Sequence, residues 1–197
     1  MKTLLALCLA VSTSAFAQGG KALTQTYAID TTATTVVWVG KKVTGQHTGN
    51  LSVKSGSLTF LGEEITAGDV VVDMKSLTTT DITDKEMNAK FIGHMTSPDF
   101  FDVAKYPESK LVIKSSKKTA KGLEVTGDLT MIGQTRPVTF LATDVKKSDK
   151  EVTANANITL NRTLWGLKYG SGSFFKGLGD KAINDDFTLN ISIKATK

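Results

Sequence analysis

Cysteine is nearly missing from this 197-residue chain: the only one is Cys8. It sits in the apolar run 4–11, behind Lys2 and ahead of Ala15-Phe16-Ala17. That order is the order of a secretory signal with a small-residue cleavage site. We expect a signal peptide over residues 1–17, cleavage after Ala17, and a periplasmic product that begins at Gln18. Leu7 stands where a lipid-anchored cysteine would want a small residue, so Cys8 is expected to leave with the leader. Residues 18–197 then hold no cysteine, which excludes disulfides, thiol catalysis and thiolate metal sites. An oxidising compartment permits disulfides; this chain is left to rely on its core. A length of this order suits a single domain.

Histidine is scarce as well, with only His47 and His94. A histidine metal site would need both, plus a carboxylate, and their spacing does not place them on one face. No metal is expected. Beyond the leader, no apolar run is long enough to cross a membrane as a helix. Dense cationic runs are missing too. The net charge of +5 is spread over loose groups such as Lys114, Lys117, Lys118 and Lys121, or Lys146, Lys147 and Lys150. These read as solvated turns. Tracking nucleic acid wants a concentrated basic face, so no nucleic acid partner is expected. A modest positive balance favours weak attraction to anionic surfaces, which allows transient contact with a membrane. Neither G-x-S-x-G nor a phosphate-binding G-x-x-x-x-G-K-[ST] occurs. Asp99 and Asp102 are paired acids near aromatics, and solvated or backbone-capping roles explain them better than acid–base work. We nominate no catalytic residue, expect no enzyme and infer no cofactor.

What the chain does have is alternation. Apolar residues fall at every second position in Tyr27–Ile29, around Trp38, and through Val70, Val72 and Met74. The same holds for Leu111 and Ile113, and for Leu123, Val125, Gly127, Leu129 and Met131. Pro137 opens Val138, Phe140 and Ala142. Val152, Ala154, Ala156, Ile158 and Leu160 follow, and Phe187, Leu189, Ile191 and Ile193 close the chain. Between Leu51 and Phe60 the parity slips, with Gly56 at the slip, which suggests a bulge there. Such a pattern describes about eight or nine antiparallel strands with one buried and one wet face. Closing them into a barrel removes the edges a long sheet would expose. The fold class is therefore all-β.

Two stretches break the rhythm. In residues 87–107, Met87, Phe91 and Met95 recur at helical spacing. Thr83 and Glu86 are spaced as a capping box, and Pro98 stops the helix. His94 falls at its end, where an imidazolium is favoured by the dipole. A lone helix among strands must bury its stripe against the sheet or its open end, so we expect a lid, with Phe91 and Met95 toward the barrel and Lys90 in water. Phe100 and Phe101 follow, either as part of that lid or as ordinary core. The second stretch, 165–180, carries five glycines, with Phe174 and Phe175 inside it. It reads either as a rim loop at the barrel mouth or as a wide hairpin with its aromatics folded down; loops of this length are usually functional.

Many inward positions are small. Val70, Val72, Ala142, Ala154 and Ala156, with Ile158, would leave volume along the axis, whereas Trp38, Phe60 and Phe140 could fill it. An eight-stranded barrel can be filled or can hold one ligand. Since each buried CH₂ contributes about 0.8 kcal/mol against about 4–15 kcal/mol for association, the expected ligand is a long apolar chain of about twenty carbons. The candidate ligand-binding residues are Trp38, Val70, Val72, Phe91, Met95, Phe100, Phe101, Phe140, Ala142, Ala154, Ala156, Ile158 and Trp165. The alternatives are a structural or stress-protective barrel without a lipid, or an enzyme acting on a lipid-like substrate.

The run His94-Met95-Thr96-Ser97-Pro98-Asp99-Phe100-Phe101-Asp102-Val103-Ala104-Lys105-Tyr106-Pro107 resembles the signature of the YceI-like family. So does Gly127-Asp128-Leu129-Thr130-Met131-Ile132-Gly133-Gln134-Thr135-Arg136-Pro137-Val138. Tyr27-Ala28-Ile29-Asp30 and Asn161-Arg162 fit as well. The resemblance implies a secreted bacterial protein with a lipocalin-like antiparallel barrel that binds a polyisoprenoid or similar long-chain lipid, and it puts His94 at the ligand entrance. Residues 39–49 depart from the family pattern, which is usually more apolar there, with a histidine near the strand's end. That implies a different barrel mouth and headgroup.

Overall fold

The computed structural model describes residues 23–197, so the expected signal peptide lies outside the described residues. Nine strands follow one another: β1 (Thr24–Ile29), β2 (Thr35–Lys42), β3 (Gly45–Leu61), β4 (Glu64–Asp73), β5 (Glu108–Thr119), β6 (Gly122–Met131), β7 (Gln134–Lys147), β8 (Glu151–Asn161) and β9 (Ile183–Thr196). One α-helix, α1 (Lys85–Thr96), is inserted between β4 and β5. The order β1-β3-β2-β9-β8-β7-β6-β5-β4 closes on itself because β3 also pairs with β4.

The ring has eight places, not nine. β1 pairs with the C-terminal half of β3, from Thr24↔Leu61 to Ala28↔Ser57, while β2 takes the N-terminal half, from Val36↔Leu51 to Lys42↔Gly45. Both then pair with β9. β1 and β2 therefore share one position, and the long β3 spans both. Closure satisfies the backbone groups that an open edge would leave free.

β4 ends at Asp73, opposite Ser52. Beyond it, segment 76–81 takes over as the partner of β3. Thr78 N–H donates to Asn50 O at 3.1 Å and Thr80 N–H to Thr48 O at 2.9 Å. Ser52 N–H donates to Ser76 Oγ at 2.7 Å, and Thr48 N–H to Asp81 Oδ1 at 2.9 Å. The approach is close enough that a Cβ on Gly49 would lie 1.8 Å from Thr78 O.

The parity slip in β3 is present, but the register shifts between Val53 and Ser55, so the extra residue is Lys54 and not Gly56. Gly56 has a different role: a Cβ there would meet Asp69 O at 2.5 Å and Ile29 Cδ1 at 2.6 Å. It lets β4 and β1 crowd against β3 at the tight bend of the wall.

Three other expectations are corrected. The helix cap is Asp84, whose Oδ1 accepts from Met87 N–H at 2.8 Å, in place of the Thr83–Glu86 box. A carboxylate next to the first turn is also favoured by the helix dipole. Met87 is 63% exposed, so the apolar stripe begins one turn later than its spacing suggested. The strand expected to run on through Met74 stops at Asp73, whose carboxylate accepts from Lys75 N–H and turns the chain into a short 3₁₀ helix.

Side chains inside the barrel form a lower cluster that includes Tyr27, Phe60, Val125 and Val152, and an upper one of Met131, Val138, Ile158, Leu160 and Trp165. Tyr27 anchors the lower end. Its ring meets Phe60 edge-on at 5.9 Å, and its hydroxyl donates to Ser148 O at 2.7 Å. α1, the β6–β7 turn and the long 162–182 connection all lie at the opposite, upper end, which the strand directions determine.

Candidate ligand-binding lumen

Between the two clusters the inward side chains leave a void of about 140 Å³. Its lining is apolar apart from Thr34, Ser109 and Asn155. Of the residues nominated from the sequence, Val70, Val72, Phe140, Ala142, Ala154, Ala156 and Ile158 line it. The recess in its wall has a simple origin. Ala142 sits directly opposite Ala156 across β7 and β8, and Ala154 opposes Ile193 across β8 and β9. Paired alanines cannot reach the axis. Phe60 and Phe140 do reach it and take up part of the lumen, whereas Trp38 stays out. The size matters: an apolar cavity of about 150 Å³ stays dry and takes a benzene ring. The lumen as it stands accommodates a ring-sized or short-chain fragment, less than the twenty carbons expected.

Trp38, Met95, Phe100 and Phe101 are gathered elsewhere. They line a second void of about 70 Å³ at the upper end, together with Gly40, Leu77, Arg162 and Phe187. The Trp38 indole N–H donates to Thr78 O at 3.0 Å, which holds the ring toward the helix. Phe91 stacks on Trp38 at 6.2 Å and lies 4.6 Å from the His47 ring. It covers Trp38 and lines neither void. Trp165 also lines neither: it is buried among Met131, Val138 and Leu160, and its indole N–H donates to Leu129 O at 2.9 Å. It works as a stopper at the barrel end.

The helix rests lightly on this upper void. None of its residues is buried. Its ties are the Phe91 stack, Met95, the His94 ring against Tyr169 and Phe100, and Asn88, whose amide donates to Ile82 O at 2.9 Å. Lys90 points to water and pairs with Glu86 at 2.6 Å. A segment with few buried contacts opens at low cost.

Two residues that sequence reasoning did not nominate matter here. Phe187 pairs with Gly40 on one side and Leu160 on the other. It lines the upper void, while Leu189, the next inward residue of β9, lines the lumen. Phe187 thus stands on β9 at the step between the two; a Cβ on Gly40 would meet Trp38 Cζ3, at 3.8 Å. The alternation of Phe187 on β9 was visible, but its position opposite a glycine was not. The second is Arg162, 3% exposed. Its Nε donates to Asn184 O at 3.0 Å, and its two terminal nitrogens donate to Leu167 O at 2.6 Å and Ile183 O at 3.1 Å. Burial pushes its pKa down, while Asp185, 3.8 Å away, opposes the shift. Its guanidinium lies over Phe100 at 5.7 Å. It clamps the start of the 162–182 connection to β9.

Among the described residues, one histidine pairs with a carboxylate. His47 Nδ1 is 2.7 Å from Asp81 Oδ2. Burial tends to raise the Asp81 pKa, but hydrogen bonds from Thr48 N–H, His47 and the Thr79 hydroxyl outweigh it and lower the value to about 2. Among the described residues no group of three or more His, Cys, Asp or Glu is placed to hold a metal ion. His94 sits in the last turn of α1, edge-on to Tyr169 at 4.5 Å and to Phe100 at 6.0 Å.

Residues 27–195 match the YceI-like domain. A UPF0312 protein of Pseudomonas putida is 34% identical over 148 residues, covering 72% of this chain and 69% of that one. Against other curated relatives the match spans about half of their length. A polyisoprenoid binding domain from Saccharophagus degradans, implicated in plant cell wall breakdown, superposes with a TM-score of 0.63 at 16% identity, over 86% of this chain and 97% of that one. BcnA of Burkholderia cenocepacia superposes with a TM-score of 0.60 at 19% identity, over 85% and 99%.

Proposed function

The chain belongs to the YceI-like family, and from that premise we propose that it is a periplasmic carrier that holds a long apolar lipid chain, such as a polyisoprenoid, in its barrel. The observation that carries this reading is the unfilled apolar lumen. At about 24 cal/mol per Å³, a void of about 140 Å³ forgoes about 3 kcal/mol that a larger side chain at Ala142 or Ala156 could recover. A barrel with only a structural role gains nothing by keeping it. The polyisoprenoid binding domain with the same fold supports the choice of ligand class. Binding, not turnover, is the role this site suits, because the lumen walls offer no acid–base pair: His47 and Asp81 do not line it.

The lumen is shorter than such a ligand, so loading involves movement. Phe187, on the upper void, is followed on β9 by Leu189, on the lumen, and displacement of the Phe187 ring joins the two. The lightly held α1 then lifts from Trp38 to admit the chain from the upper end. A chain of twenty carbons supplies about 16 kcal/mol on full burial, enough to offset both association and this rearrangement.

Organic extraction of the purified protein followed by mass spectrometry tests the reading. Long-chain lipid should be recovered from the wild type and be missing from an Ala156→Trp variant that still folds. A wild type that is empty and takes up no long-chain lipid in vitro overturns it. Intact mass of the secreted form checks the proposed cut after Ala17; a retained, acylated Cys8 would replace the free carrier with an anchored one.

A further inference from the structure

The connection between β8 and β9 does more than close the barrel. Leu164, Tyr169, Phe174 and Phe175 are 55%, 47%, 49% and 50% exposed. Among the described residues these include every exposed aromatic side chain, and all of them lie in one twelve-residue stretch. They are not the tip of a loose loop. Ser171, fully buried, bridges to Ile183 of β9. Phe174 and Phe175 N–H both donate to Ser171 O, at 3.2 and 2.9 Å, and Ser173 Oγ donates to Asp185 Oδ2 at 2.6 Å. Ile183 N–H donates to Gly170 O at 2.8 Å. A folded scaffold therefore holds three aromatic rings half in water.

Charge tells what covers them. The side chains carrying charge over residues 163–181 are Lys168, Lys176, Asp180 and Lys181, a cationic excess. Lys168 Nζ lies 4.6 Å from the Phe174 ring, so cation and aromatic form one surface. Of the two acids at the start of β9, Asp185 accepts from Ser173 through Oδ2 and its Oδ1 lies 3.8 Å from the Arg162 guanidinium, while Asp186 is turned toward the upper void. Aromatic rings with lysines around them are the composition of a membrane-interface anchor, in which rings enter the headgroup layer and ammonium groups meet anionic lipid. A protein partner is the poorer fit, because a specific interface buries about 1,000 Å² or more, and four side chains on one loop cannot supply that.

We infer that the 164–176 loop docks the protein on an anionic lipid bilayer through Phe174, Phe175, Tyr169 and Leu164, with Lys168 and Lys176 against the headgroups. The residues that hold this loop, Arg162 before it and Ile183 beneath it, line the upper void, and Tyr169 within it meets the His94 ring of α1 at 4.5 Å. Docking therefore sets the helix-covered end of the barrel against the membrane, where an apolar chain enters without crossing water. That last step rests on the carrier reading; the docking itself does not.

Co-flotation of the purified protein with phosphatidylcholine vesicles, with and without phosphatidylglycerol, provides the test. The wild type should float with the phosphatidylglycerol vesicles, less so in high salt. Phe174→Ser with Phe175→Ser should lower binding at least tenfold while leaving Tm unchanged, since both rings are half in water. Lys168→Gln and Lys176→Gln should each cost about fivefold on anionic vesicles only. A wild type that stays with none of the vesicles, or a double variant that floats as well as wild type, overturns the inference. Lipid extracted from the same preparations keeps the two readings apart. A filled lumen without flotation refutes docking alone, and flotation with a lumen that is empty and takes up no long-chain lipid refutes the carrier alone.

Discussion

Replacing Ala156 by Leu probes the void directly. Ala156 faces Ala142 across the β7–β8 ladder and lines the lumen. Leucine adds three carbons, and burying them in space that is already empty contributes about 2.4 kcal/mol at about 0.8 kcal/mol each. The estimate from cavity volume agrees. Filling half of the void of about 140 Å³ at about 24 cal/mol per Å³ gives about 1.7 kcal/mol. For a chain of this size, each kcal/mol moves Tm by about 2–4 °C, so a rise of about 4–8 °C is expected. The protein must first be stripped of lipid, because a bound ligand raises Tm by itself. Urea unfolding and thermal melts of the stripped variant report stability, and uptake of a long-chain lipid reports occupancy. Stability should rise and uptake should fall. Ala142→Leu should behave alike, and the double variant should gain less than the sum, because both side chains compete for one recess. A barrel that is in fact well packed would lose about 1–3 kcal/mol to overpacking. Destabilisation of the single variant with unchanged uptake would refute the reasoning.

Phe187→Ala should join the two voids: competition binding should shift toward longer chains, at a stability cost of about 3 kcal/mol. Asp81, held at about 2, binds protons more readily when unfolded, so its stabilisation is complete above about pH 4 and lost as pH falls toward 2. Its side chain is 31% exposed, so the contribution is at most about 2 kcal/mol, and Asp81→Asn should flatten the stability profile across that interval in acid titrations followed by circular dichroism. Arg162→Met leaves the carbonyls of Asn184, Leu167 and Ile183 without their donor; it should cost about 3 kcal/mol or more, and hydrogen exchange should show the 162–182 connection opening first. Gly49→Ala must push Thr78 away from β3 and should lower stability by at least about 2 kcal/mol in chemical denaturation.

Strand identity and facing were legible in the sequence because side-chain direction along a strand has a local period of two. Val152, Ala154, Ala156, Ile158 and Leu160 all face the lumen as their alternation required. The helical insertion was legible for the opposite reason, as a stretch where that period gives way to a spacing of four. The closed antiparallel barrel follows from many alternating strands that need their edges paired. The motif around residues 94–107 led to the YceI-like family, which the match over residues 27–195 bears out.

Register across strands is not a local property, and everything that depends on it came from the tertiary structure. Trp38 and Phe140 both alternate inward, yet one belongs to the upper void and the other to the lumen. Their heights in the barrel are set by strand stagger on ring closure. The same stagger puts Phe187 opposite Gly40, makes β1 and β2 share a place, and moves the bulge to Lys54. Whether Phe174 and Phe175 fold down or stand out depends on Ser171 reaching β9, a contact between chain segments that no spacing encodes. The volume of the lumen is the least local quantity of all. It is the small remainder after opposing side chains from the whole ring have met, so it depends on which of them meet, and pairing alone decides that.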